Sequence, residues 1–290
     1  MHTHPALALA AALLLAIAGG ARAQTPATNL MPDGSHDLYL GLGVVSQPRY
    51  DGAAGQRTRA LPLVQVEFSN GIFLSGMSAG MHLSASPGVE YGPLLGWQAR
   101  RDDSGTGAGL GGISEGNFQS LGPVSAATAR ATAPGANRLA GMDHVGGHVQ
   151  AGGFFNYYLS PQVRLISSAL AGAGGNGVVV NLGVQHFSGD FSAQHRLAVS
   201  AGVELVNRAY NTTFFGVSAA EHLRTGNAEY APGGGVKDVY VAARWNWALS
   251  PAWMLSSSAR LSRLQGDARS SPLVERPSQY SISTGLARRF

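Results

Sequence analysis

The chain has 290 residues, a formal net charge of +4 and no cysteine, and only 12% of its residues are charged, about half the roughly 25% of an average soluble protein. So few charges would leave much of a soluble globule of this size uncovered, whereas a barrel sited in lipid needs an apolar outer band; the lack of cysteine excludes a lipid-anchored lipoprotein and a disulfide framework. Lys237 is the only lysine and the arginines are scattered rather than striped, which argues against a nucleic-acid partner.

The first element is an apolar run from Ala6 to Ala18, of signal-peptide length and too short for a comfortable membrane span. Ala21-Arg22-Ala23 makes an A-x-A cleavage site, so the mature chain is expected to begin at Gln24. The n-region departs from the usual pattern, carrying His2 and His4 in place of Lys or Arg. Residues 1–23 are thus expected to be a cleaved signal peptide, 24–36 a short periplasmic segment, and 37–290 one barrel domain.

From there the chain alternates apolar and polar residues in segments of about ten, separated by turn signals, the pattern of a transmembrane β-barrel. Leu38, Leu40, Leu42 and Val44 form one apolar face; Ala60, Pro62, Val64, Val66 and Phe68 form the next, opposite Gln65 and Glu67. Ser69-Asn70-Gly71 reads as a tight turn, because Asn-Gly adopts the positive φ angles that a hairpin requires. Ile72 to Leu83 reads as one returning strand, and Val89 to Arg100 as another. In the latter, Val89, Tyr91, Pro93, Leu95, Trp97 and Ala99 oppose Glu90, Gly92, Gly96, Gln98 and Arg100. Further strands are predicted over 145–159, 163–173, 177–187, 193–206, 236–249, 253–264 and 278–290, with short turns at 160–162, 174–176, 188–190 and 250–252. Phe154, Phe155, Tyr157, Tyr158, Trp245, Trp247 and Trp253 gather near strand ends, as an interfacial girdle would place them.

Four connections are long: 46–58, the Gly- and Ala-rich 101–143, 208–235 and 265–277. Eleven strands are counted, while a bacterial barrel with both ends on one side needs an even number. The expectation is an all-β antiparallel barrel of about twelve strands, with ten or fourteen as alternatives, the missing strand lying within 101–143. Gln65, Glu67, Glu90, Gln98, Arg100, Gln150 and Arg260 are expected to face the lumen. Ser218 to Arg224 reads as a helix, with Ser218 as N-cap and Glu221 at the capping-box position; Phe214 and Phe215 before it are placed to pack on the barrel mouth.

The last strand ends in Phe290. Tyr280, Ile282, Leu286 and Phe290 share one face, and Ser283, Gly285 and Phe290 resemble the C-terminal signal that the outer-membrane assembly machinery reads; Arg288 stands where that pattern has an aromatic.

Other motifs fail on context. Gly76-Met77-Ser78-Ala79-Gly80 matches G-x-S-x-G, but a hydrolase needs that serine on a strand-to-helix turn, and this one reads as mid-strand. Gly107-x-Gly109-x-x-Gly112 and Gly172-x-Gly174-x-x-Gly177 match dinucleotide spacing without the strand and helix that give it meaning. Asp143, His144 and His148 could suggest a metal site. Yet residues four apart on a strand lie about 13 Å from one another, and Gly146-Gly147 disfavours a helix. No catalytic residue, metal ligand or cofactor site is therefore assigned.

Several strings, in order along the chain, resemble the MipA/OmpV family: Gly41-Leu42-Gly43-Val44, Pro48-Arg49-Tyr50-Asp51-Gly52, Leu61-Pro62-Leu63 and Leu139-Ala140-Gly141-Met142-Asp143-His144-Val145. The strongest follow: Tyr210, Phe214 to Ser218, Gly233 to Val239, Arg263 to Ala268 and Ser271 to Val274. Between 101 and 138 the likeness thins. What the resemblance implies is a non-enzymatic barrel of the outer membrane that scaffolds murein-synthesising machinery, with a periplasmic murein hydrolase or synthase as partner. A small-solute diffusion channel is the alternative. Outer-membrane lipid and lipopolysaccharide are the expected surroundings of the wall.

Overall fold

Alternation builds the wall. In the computed structural model, which describes residues 34–84, 88–107, 110–113, 137–192 and 194–290, twelve antiparallel strands close into a barrel. The expected cleavage residues Ala21, Ala23 and Gln24 lie outside the described residues, as does 114–136 of the long insertion.

The first half of the wall comprises β1 (His36–Pro48), β2 (Gln56–Phe68), β3 (Ile72–Ser75), β4 (Ser78–Met81) and β5 (Val89–Gln98). A small separate hairpin follows, β6 (Arg101–Asp102) and β7 (Gly105–Thr106). The second half comprises β8 (His148–Tyr158), β9 (Val163–Gly172), β10 (Val178–Ser192), β11 (His195–Val206), β12 (Gly235–Ser250), β13 (Trp253–Leu264) and β14 (Ser278–Arg289). β14 pairs back onto β1 from Arg289↔Tyr39 to Ile282↔Ser46, which closes the ring. Closure satisfies backbone groups that lipid cannot. The start of β1 and the end of β14 share one rim with the turns at 69–71, 159–162 and 251–252 (the turn end), and the long connections share the other (the loop end).

Glycine sets the closure distance. A side chain at Gly41 would run into the Leu286 carbonyl and Ala287, and one at Gly43 into Thr284 and Gly285. Outward residues follow the predicted period: Leu40, Leu42, Val44, Leu95, Trp97, Val241, Leu261 and Ile282 are all exposed.

The twelfth strand is not within 101–143. Ile72 to Leu83 is instead split by a two-residue turn at Gly76-Met77 into β3 and β4, each four residues long. Gly76 makes this possible with φ of +57°, a conformation that costs other residues. Ser78 therefore opens β4 just past a hairpin turn and is not mid-strand. Two smaller corrections follow. β10 runs on to Ser192, with a register irregularity after Ser188 in place of the expected turn at 188–190. β5 ends at Gln98, so Arg100 leaves the wall and pairs in an exposed position with Asp102.

Because β3 and β4 are short, the wall between β2 and β5 is only half built among the described residues. Beyond Gly76, which donates to the Val64 carbonyl, β2 continues toward the loop end without a strand partner on that side. Residues 110–113 fill part of the opening. Gly111 bridges Leu63 in parallel, accepting from Val64 N–H and donating to Pro62, both at 3.0 Å. A Cβ on Gly112 would strike Ser75, so only glycine passes so close to the hairpin. Beyond it Ile113 is 4% exposed and packs among the inward Val45, Leu61, Leu63 and Ala287.

Candidate functional site

The lumen carries the polar chemistry. Gln65, Glu67, Glu90, Gln98, Gln150 and Arg260 occupy inward positions of their strands, as expected, and only Arg100 does not. At the turn end Arg164, 3% exposed, donates from Nε to Gln185 Oε1 (2.8 Å) and from Nη1 to Glu90 Oε2 (2.9 Å). Tyr158 Oη donates to Glu90 Oε1 at 2.6 Å, and Asn156 Nδ2 to Glu90 Oε2 at 3.1 Å. This network ties β5, β8, β9 and β10 together inside the barrel.

A second network sits toward the loop end. β11 and β12 pair Glu204 with Asp238 but Leu205 with Val236, so Lys237 is the extra residue of a β-bulge. A bulge re-aims side chains, and this one turns both Lys237 and Asp238 inward. Lys237 Nζ reaches Glu204 Oε2 at 2.5 Å, Asp238 Oδ2 at 3.2 Å and Asp51 Oδ2 at 3.4 Å, with its side chain 8% exposed. Arg260 Nη2 lies 3.3 Å from Asp238 Oδ1, and its guanidinium stacks 3.8 Å from the centre of the Tyr240 ring. The sole lysine thus joins the wall to Asp51 in the loop between β1 and β2. Sequence reading missed this cluster, although two consecutive charges on an alternating strand were the visible sign.

Above it the long connections fold into a cap. The connection between β11 and β12 forms α1 (Arg208–Phe215) and α2 (Ala219–Thr225), and α3 (Gly266–Ser270) follows β13. The predicted capping box is present: Ser218 Oγ accepts from Glu221 N–H while the Glu221 carboxylate accepts from Ser218 N–H. α1 and α3 were not predicted; α1 is N-capped by Asn207, whose side chain accepts from Tyr210 N–H. One apolar cluster joins Tyr50, Ala53, Leu139, Met142, Val217 and Leu273; another joins Val206, Tyr210, Phe215, Leu264 and Ala268. Buried donors link the loops: Tyr50 Oη to Leu273 O (3.1 Å), Arg101 Nη1 to Phe214 O (2.6 Å) and Ser271 Oγ to Phe215 O (2.6 Å). Burial pushes the Tyr50 and Tyr210 phenols up and the Arg101 guanidinium down. Most of the strings behind the family resemblance meet here, from four separate connections.

Between cap and turn-end network lies a chamber of about 280 Å³. Met77, Leu94, Phe154, Ile166 and Leu170 line it on the side of β4, β5, β8 and β9, while Arg244, Ser258, Arg260 and Gln279 line the opposite side. Ile113 is tied across the lumen, its N–H donating to Gln65 Oε1 (2.9 Å) and its carbonyl accepting from Asn246 Nδ2 (3.2 Å).

Of the remaining sequence candidates, Ser78 lines the chamber and the others are placed apart from it. Asp143 pairs with Arg224 at 2.5 Å in the cap, and His148 Nδ1 lies 3.1 Å from the Gly146 carbonyl. Ser283 and Gly285 face inward on β14, and Phe290 N–H donates to Leu38 O at 2.9 Å. Of the aromatic residues expected in a girdle, Phe155, Tyr157, Trp245 and Trp253 are exposed on the outer face, whereas Tyr158 is buried in the lumen and Phe154 packs against the buried Phe73, Leu94 and Leu170.

No curated relative matches the chain. Among solved structures it is similar to an outer-membrane channel of Pseudomonas putida F1 at 8% identity, over 93% of this chain and 100% of that one, with a TM-score of 0.43. The translocator domain of the autotransporter NalP from Neisseria meningitidis is 12% identical over 98% and 96% of the two chains, at a TM-score of 0.41. The NanC porin is 8% identical over 88% and 100%, at 0.37. The family model described as MltA-interacting protein MipA matches residues 40–290, and the chain, an outer-membrane β-barrel, belongs to the MipA family.

Proposed function

We propose that the protein is a closed, non-enzymatic barrel that holds periplasmic cell-wall machinery at the outer membrane. The observation that carries this reading is the cap: the loop end is covered by loops with their own apolar clusters, pinned to the wall through Lys237 and Asp51. An open solute pathway needs a lumen clear at both rims, whereas small barrels fill theirs with side chains. The family description supports the partner class, a murein-processing enzyme. Bacterial barrels carry short turns on the periplasmic side, so such a partner would meet the turns at 69–71, 159–162 and 251–252 and the chain ends. Export with cleavage after Ala23, assembly read from Ser283, Gly285 and Phe290, and a lipid and lipopolysaccharide surround complete the proposal.

The test is a pair of measurements on protein refolded into liposomes. A purified murein hydrolase or synthase should co-sediment with them, and planar-bilayer recordings should stay silent. Discrete conductance steps would move the channel reading to first place, and failure of every murein enzyme tried to co-sediment would sink the docking reading.

A further inference from the structure

Among the described residues, the half-height hairpin leaves the wall open at one place, and the apolar side of the chamber stands next to it. Met77 lies in the β3–β4 turn, and Leu94 lies on β5, the other strand bordering the gap; Phe154, Ile166 and Leu170 continue that surface. Outward residues flanking the gap, Ala60, Pro62 and Trp97, belong to the lipid-facing band. Only residues 110–113 cross it among the described residues, held to β2 by the two Gly111 bonds and by the Ile113 N–H on Gln65, and to β12 by Asn246. Leu110 is 36% exposed at the start of this segment and Ile113 is buried in the lumen at its end.

The opposite side of the chamber offers a charge. Arg260 Nη1 is buried and makes no hydrogen bond, while Nη2 of the same group is engaged by Asp238. A buried donor without a partner is costly, and the same side chain, 19% exposed, lines the chamber across from its apolar side. A chamber of about 280 Å³ falls just short of the roughly 300–1,000 Å³ of ordinary small-molecule sites, which limits the occupant to a single short chain.

From this arrangement we propose that the chamber binds a medium-chain anionic amphiphile. The ligand enters from the lipid through the gap above β3–β4, its chain against Leu94, Phe154 and Leu170 and its head on Arg260. Neither the site nor the path depends on the docking reading above, and neither is tested by the assay for a murein partner.

Radiolabelled decanoate is the probe, with the full chain in liposomes and protein-free liposomes as the baseline. Saturable binding above baseline is expected. Arg260→Gln should weaken decanoate roughly tenfold or more, as loss of a charge-assisted hydrogen bond does, and leave decanol unchanged. Because the chain has no cysteine, Leu63→Cys with Gly111→Cys provides a single lock on a bridged pair; the new Cβ at 111 meets the side-chain ends of Leu63, which the substitution shortens, and of Leu61, which must turn aside. Uptake should slow at least roughly tenfold when the pair is oxidised, if leaving the gap is limiting, and recover on reduction. The boiling shift on a gel checks that each variant is folded. Binding no greater than in protein-free liposomes would overturn the site, equal loss of decanol and decanoate in Arg260→Gln would overturn the head assignment, and uptake indifferent to oxidation would overturn the path.

Discussion

Lys237→Met isolates the link between wall and cap. In the folded protein one ammonium lies within 3.4 Å of three carboxylates, and two of these, Glu204 and Asp238, have side chains only 13% and 6% exposed. Methionine keeps the length of the side chain and removes its charge. Glu204 and Asp238, directly opposite in register, then share Arg260 alone, which lies 3.8 Å from one and 3.3 Å from the other. Removing one partner of a buried ion pair costs roughly 3–5 kcal/mol, and for a domain of this size each kcal/mol lowers the melting midpoint by about 2–4 °C. A fall on the order of 10 °C is expected, read as the temperature at which unboiled protein loses its fast-running band on a gel. Adding Asp238→Asn removes the uncompensated charge and should recover part of the loss. A single variant that melts within about 3 °C of the parent, or a double variant that melts lower still, would refute the view that Lys237 neutralises this cluster.

Phe215 is 1% exposed at the centre of the cap, so Phe215→Ala should cost the cap about 3–5 kcal/mol; trypsin should then cut after Arg208 or Arg224 while the barrel keeps its boiling shift. Gly41→Val should block the β1–β14 seam, since its side chain meets the Leu286 carbonyl; protein that runs identically boiled and unboiled is the expected result. Acid should loosen α2. Burial pushes the Glu221 carboxyl up, but bonds from Ser218 and Asp143 outweigh it and hold it below its usual 4.5. A depressed carboxyl lends stability that is present above its unfolded value and lost as pH falls through the folded one. Amide hydrogen exchange over α2, measured at each pH and corrected for its intrinsic pH dependence, should therefore speed up below about pH 4.5, and in Glu221→Gln that acid dependence should disappear.

The wall was legible because lipid and lumen impose opposite demands on successive residues, as in β1, β2 and β5. The split of Ile72–Leu83 was harder to see. A two-residue turn places Ser75 opposite Ser78, which shifts the alternation by one, and that slip amid small residues was the only local sign. The α2 capping box was readable because its partners are three residues apart. The rest of the cap was not, since Tyr50 and Leu273 meet across 223 residues and nothing near either announces the other. The charged cluster fell between these cases: Lys237 and Asp238 are adjacent, but only the bulge against β11 makes both face inward.

Twelve strands encircle the turn end, whereas toward the loop end the span between β2 and β5 is bridged by residues 110–113 in place of two strands. With neighbouring strands about 4.8 Å apart, exchanging two strands for one segment would shorten the perimeter there by about that amount if the gap closed over it, and taper the wall toward one membrane face. A tapered inclusion leaves more lateral room in the leaflet at its slim end than in the other. The surrounding lipid would take up that difference, so the height of this small hairpin would set how the bilayer packs around the protein.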